Sequence, residues 1–566
     1  MAFQVSPGVQ VKEIDATGVV PAVSTSIGGT VGAFNWGPVG EVVSISSEKN
    51  LAEVFGTPDN STYKYFLTAA GFLKYGNSLK VVRTDSTSMR NATADGSGLS
   101  IKNDSVYDAS YSSGAASVGI WAAKYSGIKG NSLRVAMCTE GSLFAGWTYA
   151  SSFDSAPGTS NYATSLGKGS IGDELHVIVI DEDGDISGTA GTVLETFAFM
   201  SQGSDAKKED GTSNYYKDVI NTGSSYIRWM DHHTTLTEAG SAISTVSSMA
   251  GLSSASDIEV TGRSLSGGVD DSTPTAAEIA TAFDLLEDAE TVDVQLLFAY
   301  PDANGANTIS NDLISIAAAR KDCMSFVSPP IDDTVNATTP AADVKAWADT
   351  LTSSSYASAD SGAIYVYDKY NDAYRWIGAA GHIAGLCAAT DKTADAWFSP
   401  AGATRGQLFG VIKLAFNPVK ADRDTLYKAR VNPVVSFPGE GTLLFGDKTL
   451  LSKPSAFDRI NVRRLFNTLE KAISTAARAQ LFEFNDEFTR AQFRNLVEPF
   501  LRDVKGRRGI TDFSVVCDTT NNTGQVIDTN NFVADIYIKP ARSINFITLN
   551  FIATRTGVDF SEISGS

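Results

Sequence analysis

NFVADIYIKPARSINFITLNFIATRT, residues 531–556, reads as two β-strands around Lys539 and Pro540. Side chains alternate across a strand, so Phe532, Ala534, Ile536 and Ile538 share one face of the first. In the second, Ile544, Phe546 and Ile552 alternate with Ile547, Leu549 and Phe551, so both faces are apolar. That pattern belongs to a strand buried on both sides, which needs a sheet around it. Only a short tail follows. The missing strands therefore come from far away in the sequence or from another molecule.

The chain has 566 residues, enough for several domains. Its 43% apolar and 19% charged residues are those of a soluble globular protein, and 49 Gly with frequent Ser and Thr favour β-structure and turns. No apolar run reaches the roughly 18 residues that span a bilayer, and MAFQVSPGVQVKEID lacks the basic and apolar regions of a signal peptide. Membrane insertion is not expected; assembly in a cytoplasm is. Cys138, Cys323, Cys387 and Cys517 are scattered with no C-x-x-C pair, which reads as reduced structural thiols.

The net charge of −19 is uneven. Residues 87–345 hold 14 Lys and Arg against 34 Asp and Glu, so the rest of the chain is nearly neutral. Either the middle simply has a soluble surface, or an acidic exterior is paired with a neutral-to-basic part that meets something else.

Residues 1–20 read as an arm. In VQVKEID, Val9, Val11 and Glu13 alternate with Gln10, Lys12 and Ile14, and so short a strand is stable only when added to a sheet. Fully extended, such an arm reaches ~65 Å. Residues 21–86 alternate strand and helix: strands in 22–47, helices at 48–55 and 63–75, a strand at 78–84. Residues 87–273 are rich in Ser, Gly, Asp and Asn, with a hairpin of ELHVIVID (174–181) and TVLETFAFM (192–200). Residues 274–391 return to α/β, with helices at 276–290, 311–321 and 341–351. Their strands are VDVQLLFAY (292–300), CMSFVSPP (323–330) and GAIYVYDKY (362–370), implying a small, largely parallel sheet. FDRINVRRLFNTLEKAISTAARAQ (457–480) is a helix with Ile460, Leu465, Leu469, Ile473 and Ala476 on one stripe. A second helix spans 489–505, and 512–518 is a strand.

Catalytic constellations are missing from the sequence. There is no G-x-x-x-x-G-K-[ST], G-x-S-x-G or H-E-x-x-H. GKGSIG (167–172) fits G-x-G-x-x-G but precedes a strand, so it reads as a loop. His232 and His233 lack a third ligand at metal spacing. DEDGD (181–185) has its Gly at the fourth position, where a calcium loop needs it at the sixth, and reads as a hairpin turn. No enzyme activity, metal or cofactor is expected. The cations between 459 and 508 stand out, with 11 Lys and Arg against 6 Asp and Glu. Arg459, Arg463, Arg464, Lys471 and Arg478 lie mostly off the apolar stripe. They form either a solvated face or a face that docks on an acidic protein surface. Nucleic-acid binding is disfavoured because no aromatic platforms are interleaved with them.

Four ordered motifs resemble the contractile tail sheath proteins of T-even-like bacteriophages. SPGVQVKEID is similar to that family's opening arm. GAAGHIAGLCAATD (378–391) with AWFSPAG resembles its Gly/Ala helix and the segment after it. FDRINVRRLFNTLEKAI with LFEFND resembles its most recognisable helix, and IYIKPARSINFITLNF its C-terminal signature. The resemblance implies an α+β multidomain protein without catalytic residues. An inner domain would combine 21–86 with 392–553, beside an α/β domain at 274–391, β-rich outer insertions at 87–273, and linking arms at 1–20 and 554–566. Subunits would stack as six-membered rings around a tail tube in the virion, assembled in the host bacterial cytoplasm, with baseplate and tail terminator proteins as further partners. The sheath would contract to drive the tube through the cell envelope for genome ejection. Val9, Val11, Glu13, Ile14, Ile536, Ile538, Phe546, Ile547, Leu549 and Phe551 would form intersubunit strands, and the basic helix would meet the tube. A sheath from a phage-derived killing particle fits the same motifs. A rival class is a carbohydrate-active or host-binding surface protein whose β-rich insertions are the active part.

Overall fold

The computed structural model describes residues 23–232, 241–243 and 262–545. The expected arm residues Val9, Val11, Glu13, Ile14, Phe546, Ile547, Leu549 and Phe551 lie outside the described residues, as does His233. The chain divides into two compact units. One is 22–396 with 400–472; the other takes 1–21, 397–399 and 473–566.

The first unit opens with β1 (Gly28–Gly32), β2 (Val42–Ile45), α1 (Glu48–Phe55), α2 (Tyr63–Leu73) and β3 (Leu79–Arg83). Every residue of β1 is buried, and ring packing explains its glycines. A Cβ on Gly28 would lie 2.7 Å from Phe72, and one on Gly32 2.5 Å from Tyr65, both on α2. A Cβ on Gly29 would point the other way, 2.9 Å from Leu297 and Val294.

After β3 comes the β-rich insertion. Its entry and exit are tied together: Arg90 and Val269 exchange both backbone hydrogen bonds, at 2.9 and 3.0 Å, and Thr93 and Ser266 do the same just beyond. Inside that neck are β4 (Trp121–Ala123), β5 (Leu133–Cys138), β6 (Glu174–Asp181), β7 (Thr192–Ser201), β8 (Ile227–Trp229) and β9 (Arg263–Ser264). They form an antiparallel sheet in the order β7-β6-β5-β9 and a β4–β8 pair. The expected 174–200 hairpin is β6–β7. Its core also holds Trp36, from the β1–β2 connection, against Tyr125 and Tyr226.

The chain then runs through α3 (Ala276–Asp284), β10 (Leu296–Phe298), α4 (Thr308–Arg320), β11 (Met324–Val327), α5 (Pro340–Asp349) and β12 (Ala357–Asp360). Thr275 caps α3 in a reciprocal box with Glu278. Next come β13 (Ala363–Asp368), β14 (Ala373–Gly378), α6 (Ala380–Thr393), β15 (Val411–Leu414), α7 (Lys420–Lys428), β16 (Val431–Asn432), β17 (Val434–Phe437), β18 (Gly441–Leu444) and α8 (Ile460–Ala477).

Seven strands form one sheet in the order β16-β12-β11-β10-β1-β3-β2, parallel except at β2–β3. This corrects two expectations. The boundary placed between 21–86 and 274–391 runs through a continuous sheet, because β1 pairs with both β3 and β10. GAIYVYDKY does not join the parallel sheet. Its strand β13 centres an antiparallel sheet β14-β13-β15, and the small residues ASAD (β12) take the parallel place.

α2 and α6 pack closely on one face of the large sheet. A Cβ on Gly381 would come within 2.3 Å of the Thr68 carbonyl, and one on Gly385 within 2.5 Å of Tyr75. The Gly/Ala composition of 378–391 thus sets an interhelical distance. Leu286, just after α3, lies with Val294 and Leu297 on the Gly29 face, across the sheet from α2.

In the second unit, α9 (Glu487–Gly506) is capped by Asp486, which accepts from the Thr489 N–H at 2.8 Å. It buries Phe493, Val497, Leu501 and Val504 and packs on β19 (Ile510–Val516), which pairs antiparallel with β20 (Asp535–Pro540). Trp397 joins this unit, donating to the Arg507 carbonyl at 3.2 Å with the Arg507 guanidinium over its ring.

Candidate assembly surfaces

The expected strand at 531–538 begins later, at Asp535, and is the second strand of a hairpin-like pair. Ile538 lies opposite Phe513 and Ile536 opposite Val515, both isoleucines half-buried. Among the described residues this sheet has two strands, so each outer edge offers unpaired N–H and C=O groups. Such an edge is a template for a strand from elsewhere. Beside it in sequence, Leu481, Phe482, Phe484 and Phe488 are 62 to 105% exposed. That is an unusual density of uncovered aromatic surface in eight residues.

The basic face expected on α8 is not a face. Arg463 and Arg464 are each 4% exposed. Arg464 donates to both Asp391 oxygens at 2.8 and 2.7 Å and to the Thr25 carbonyl at 3.2 Å. Thr25 Oγ1 donates to the same carboxylate at 2.6 Å. Arg463 stacks between Tyr356 and Phe457 and donates to Asn467 at 2.8 Å. Arg459 pairs with Asp447 at 3.1 Å and donates to the Tyr427 hydroxyl. Lys471 is ion-paired with Asp293 and reaches the Ser24 carbonyl at 3.5 Å. Arg478 alone of the five is exposed. The sequence shows one apolar stripe, but α8 is covered on a second side by residues 24–25, 323 and 387. The buried Cys323 and Cys387 carbonyls, the part-buried Thr25 carbonyl and Asp391 require donors.

This arrangement has a different use. Arg464, Asp391 and Lys471 hold residues 24 and 25, just before β1, against the body of the first unit. Sequence reasoning missed Asp391 and Thr25; the Asp ending GLCAATD was the available signal.

The remaining candidates resolve as structure. Asp181 accepts from Ser132 Oγ at 2.6 Å and from the N–H groups of Gly184, Ile186 and Ser187, so DEDGD is a turn closed on its own carboxylate. GKGSIG lies in the loop before β6. His232 is within 2.6 Å of the Tyr216 hydroxyl. Among the described residues no group of three or more His, Cys, Asp or Glu is placed to hold a metal ion, and no helix is long and apolar enough to cross a membrane. All four cysteines are buried thiols outside any disulfide, and burial pushes the Cys323 and Cys387 thiols up to about 12.

Three family models match in chain order: the tail sheath protein Gp18 domain III N-terminal region over 25–84, the phage tail sheath protein central domain over 272–450, and the phage tail sheath C-terminal domain over 452–554. The chain is 34% identical to the tail sheath protein of Vibrio phage KVP40, over 99% of each. The chain belongs to the phage tail sheath family. It is also 33% identical to the tail sheath protein of Enterobacteria phage T4, again over 99% of each. Among solved structures, the sheath tail protein of Listeria innocua superposes with a TM-score of 0.55 at 14% identity, covering 92% of this chain and 93% of that one. The contracted helical sheath of the anti-feeding prophage gives 0.51 at 13%, covering 98% and 100%. These two share the fold. The α+β multidomain class is that of the family.

Proposed function

We propose that this protein is the building unit of a contractile tail sheath. Likeness to the KVP40 and T4 tail sheath proteins along nearly the whole chain carries that reading. Copies would stack as six-membered rings around a tail tube in the virion, assembled in the bacterial cytoplasm, bounded by baseplate and terminator proteins. The likeness to phage sheaths favours a phage tail over a phage-derived particle.

The arms supply the connectivity. Residues 9–14 of one neighbour and 553–563 of another would add strands to the open edges of β19–β20. Backbone hydrogen bonds in that shared sheet would persist while the bodies rotate. A metastable extended array that buries less intersubunit surface than the contracted one would supply the work, with no nucleotide consumed. Tube contact is reassigned from α8 to the exposed Arg478 and the aromatic stretch from Leu481 to Phe488. Deleting residues 1–16 is expected to leave a folded protein that forms no polymer, seen as an absence of striated cylinders in the electron microscope. Normal sheath from that variant would overturn the arm model.

A further inference from the structure

The three-stranded sheet β14-β13-β15 has one face in the core, where Ile364, Val366 and Ile377 are 0 to 2% exposed. Its other face is aromatic. The register puts Tyr365 opposite Trp376, Tyr367 opposite Tyr374, and Lys413 beside Tyr365. Tyr365 stacks on Tyr374 at 5.6 Å and lies 4.5 Å from Trp376, while Tyr374 lies 5.2 Å from Tyr367. The Lys413 ammonium sits over Tyr365 and Trp376 at 4.7 and 5.4 Å. Tyr367 and Tyr374 are 46% and 55% exposed, and Ile412, next to Lys413, is 53% exposed. A continuous aromatic ladder carrying one cation has the composition of an interface centre.

The complementary surface is on the same molecule. Asp284, the last residue of α3, and Glu287 just beyond it are exposed, with Leu285 exposed between them. Asp312 on α4 faces them. Its carboxyl is pushed up by burial and by both neighbours, and its Oδ2 is buried without a hydrogen-bond partner. Carboxylates at a helix C-terminus oppose the helix dipole, and α3 has no basic residue in its last turn. The nearby Arg320 is occupied by Asp322 and the carbonyls of Leu286, Val292 and Val294.

We propose that the aromatic–lysine platform of one copy docks on the acidic α3–α4 edge of the next, with Leu285 against the rings and Lys413 among the carboxylates. The platform hairpin packs on α2, with Arg375 over Tyr63 and Tyr370 against Phe66. The acidic edge lies on the other face of the large sheet. Two unlike patches on opposite faces make a head-to-tail contact, which propagates into a helical array instead of closing as a dimer. The inference rests on the sheath reading and adds a second contact to it, independent of the arms.

Charge reversal and rescue test it. In full-length protein, Lys413→Glu and Glu287→Lys are each expected to raise the concentration at which sedimentable polymer appears by about tenfold at low salt. Monomer melting temperature should hardly change for Glu287→Lys, whose side chain is exposed, and should fall by only a few degrees for Lys413→Glu, which loses its seat over the Tyr365 and Trp376 rings. Combining them in one chain should return the threshold to within about threefold of wild type, the signature of a direct pair. Single variants that polymerise like wild type, or a double variant no better than the singles, would overturn the contact and leave the sheath reading intact. Wild-type protein that forms no polymer would overturn both. Intact polymer that loses only binding to soluble glycans would assign the platform to a different ligand.

Discussion

The helices α8 and α9 look alike in sequence: long, amphipathic and rich in Arg and Lys. Their cations are placed differently, Arg490 near the start of α9 excepted. On α8, Arg463 and Arg464 are buried, aimed at a carboxylate, backbone carbonyls and aromatic rings. On α9, Arg490 near the start is buried against Asn485, but Arg502 is exposed and makes an i,i+4 contact with Glu498 at 4.0 Å, and Arg507, just after the helix, does likewise with Asp503 at 3.7 Å. A charge pattern on a helix says how many cations there are, not whether water or protein surrounds them. Only the elements packed on the second side of α8 decide that, and they come from residues more than 70 positions away.

The comparison breaks most visibly at Arg464. Replacing it with Ala leaves Asp391 buried beside an unmatched Thr25 carbonyl, a change expected to cost about 3–5 kcal/mol. A calorimetric scan should show a drop in melting temperature of several degrees; an unchanged transition would mean that the pair does not hold Thr25 and Asp391 to α8.

Asp360 sharpens the contrast, as a buried carboxylate with no ion pair. It accepts from Ser328 Oγ and from the Gly362 N–H at 2.8 Å, and burial pushes its carboxyl up to about 7. The folded chain then holds a proton that the unfolded chain has released above about pH 4. The sign follows: this group's stabilisation is full at low pH and is lost as pH rises from about 4 through 7. Melting temperatures of wild type and Asp360→Asn, compared across that window, should diverge as pH rises, with wild type losing ground. Parallel curves would place the proton elsewhere. The smallest effect is expected on α9: Arg502→Ala should change stability by no more than about 0.5 kcal/mol, within the error of a urea titration.

Much of the fold was legible. The helices at 48–55, 63–75 and 457–480 and the hairpin at 174–200 follow from local periodicity, which residues a few positions apart carry. What escaped was non-local. Ala357, Ser358, Ala359 and Asp360 form a sheet strand without an apolar run, because their pairing comes from Ser325 to Val327 and from Val431. GAIYVYDKY has the stronger strand pattern, yet its alternate Tyr residues face outward, which suits an antiparallel sheet with one wet face. For the site, the strand at 535–540 follows from the alternation of Ile536 and Ile538, while the second apolar strand expected after Pro540 lies mostly outside the described residues. The burial of Arg463 and Arg464 does not, since no window of α8 contains Asp391 or Thr25.

The neck at Arg90 and Val269 makes the insertion a cassette. Hydrogen-bonded neighbours in an antiparallel pair sit about 5.5 Å apart, so the body meets those many residues as if they were one short turn. Loop-closure entropy depends on where the ends are held, not on what hangs beyond them. Cassettes of other sizes or folds could therefore be exchanged at this junction without disturbing the parallel sheet. Beyond the neck, the body meets the cassette at Val39, which bonds Lys102 and Asn103, at Thr57, which bonds Lys129, and at Trp36; removing the cassette strips Trp36 of its cover from Tyr125 and Tyr226, so a polar side chain at position 36 is the natural companion of any such graft.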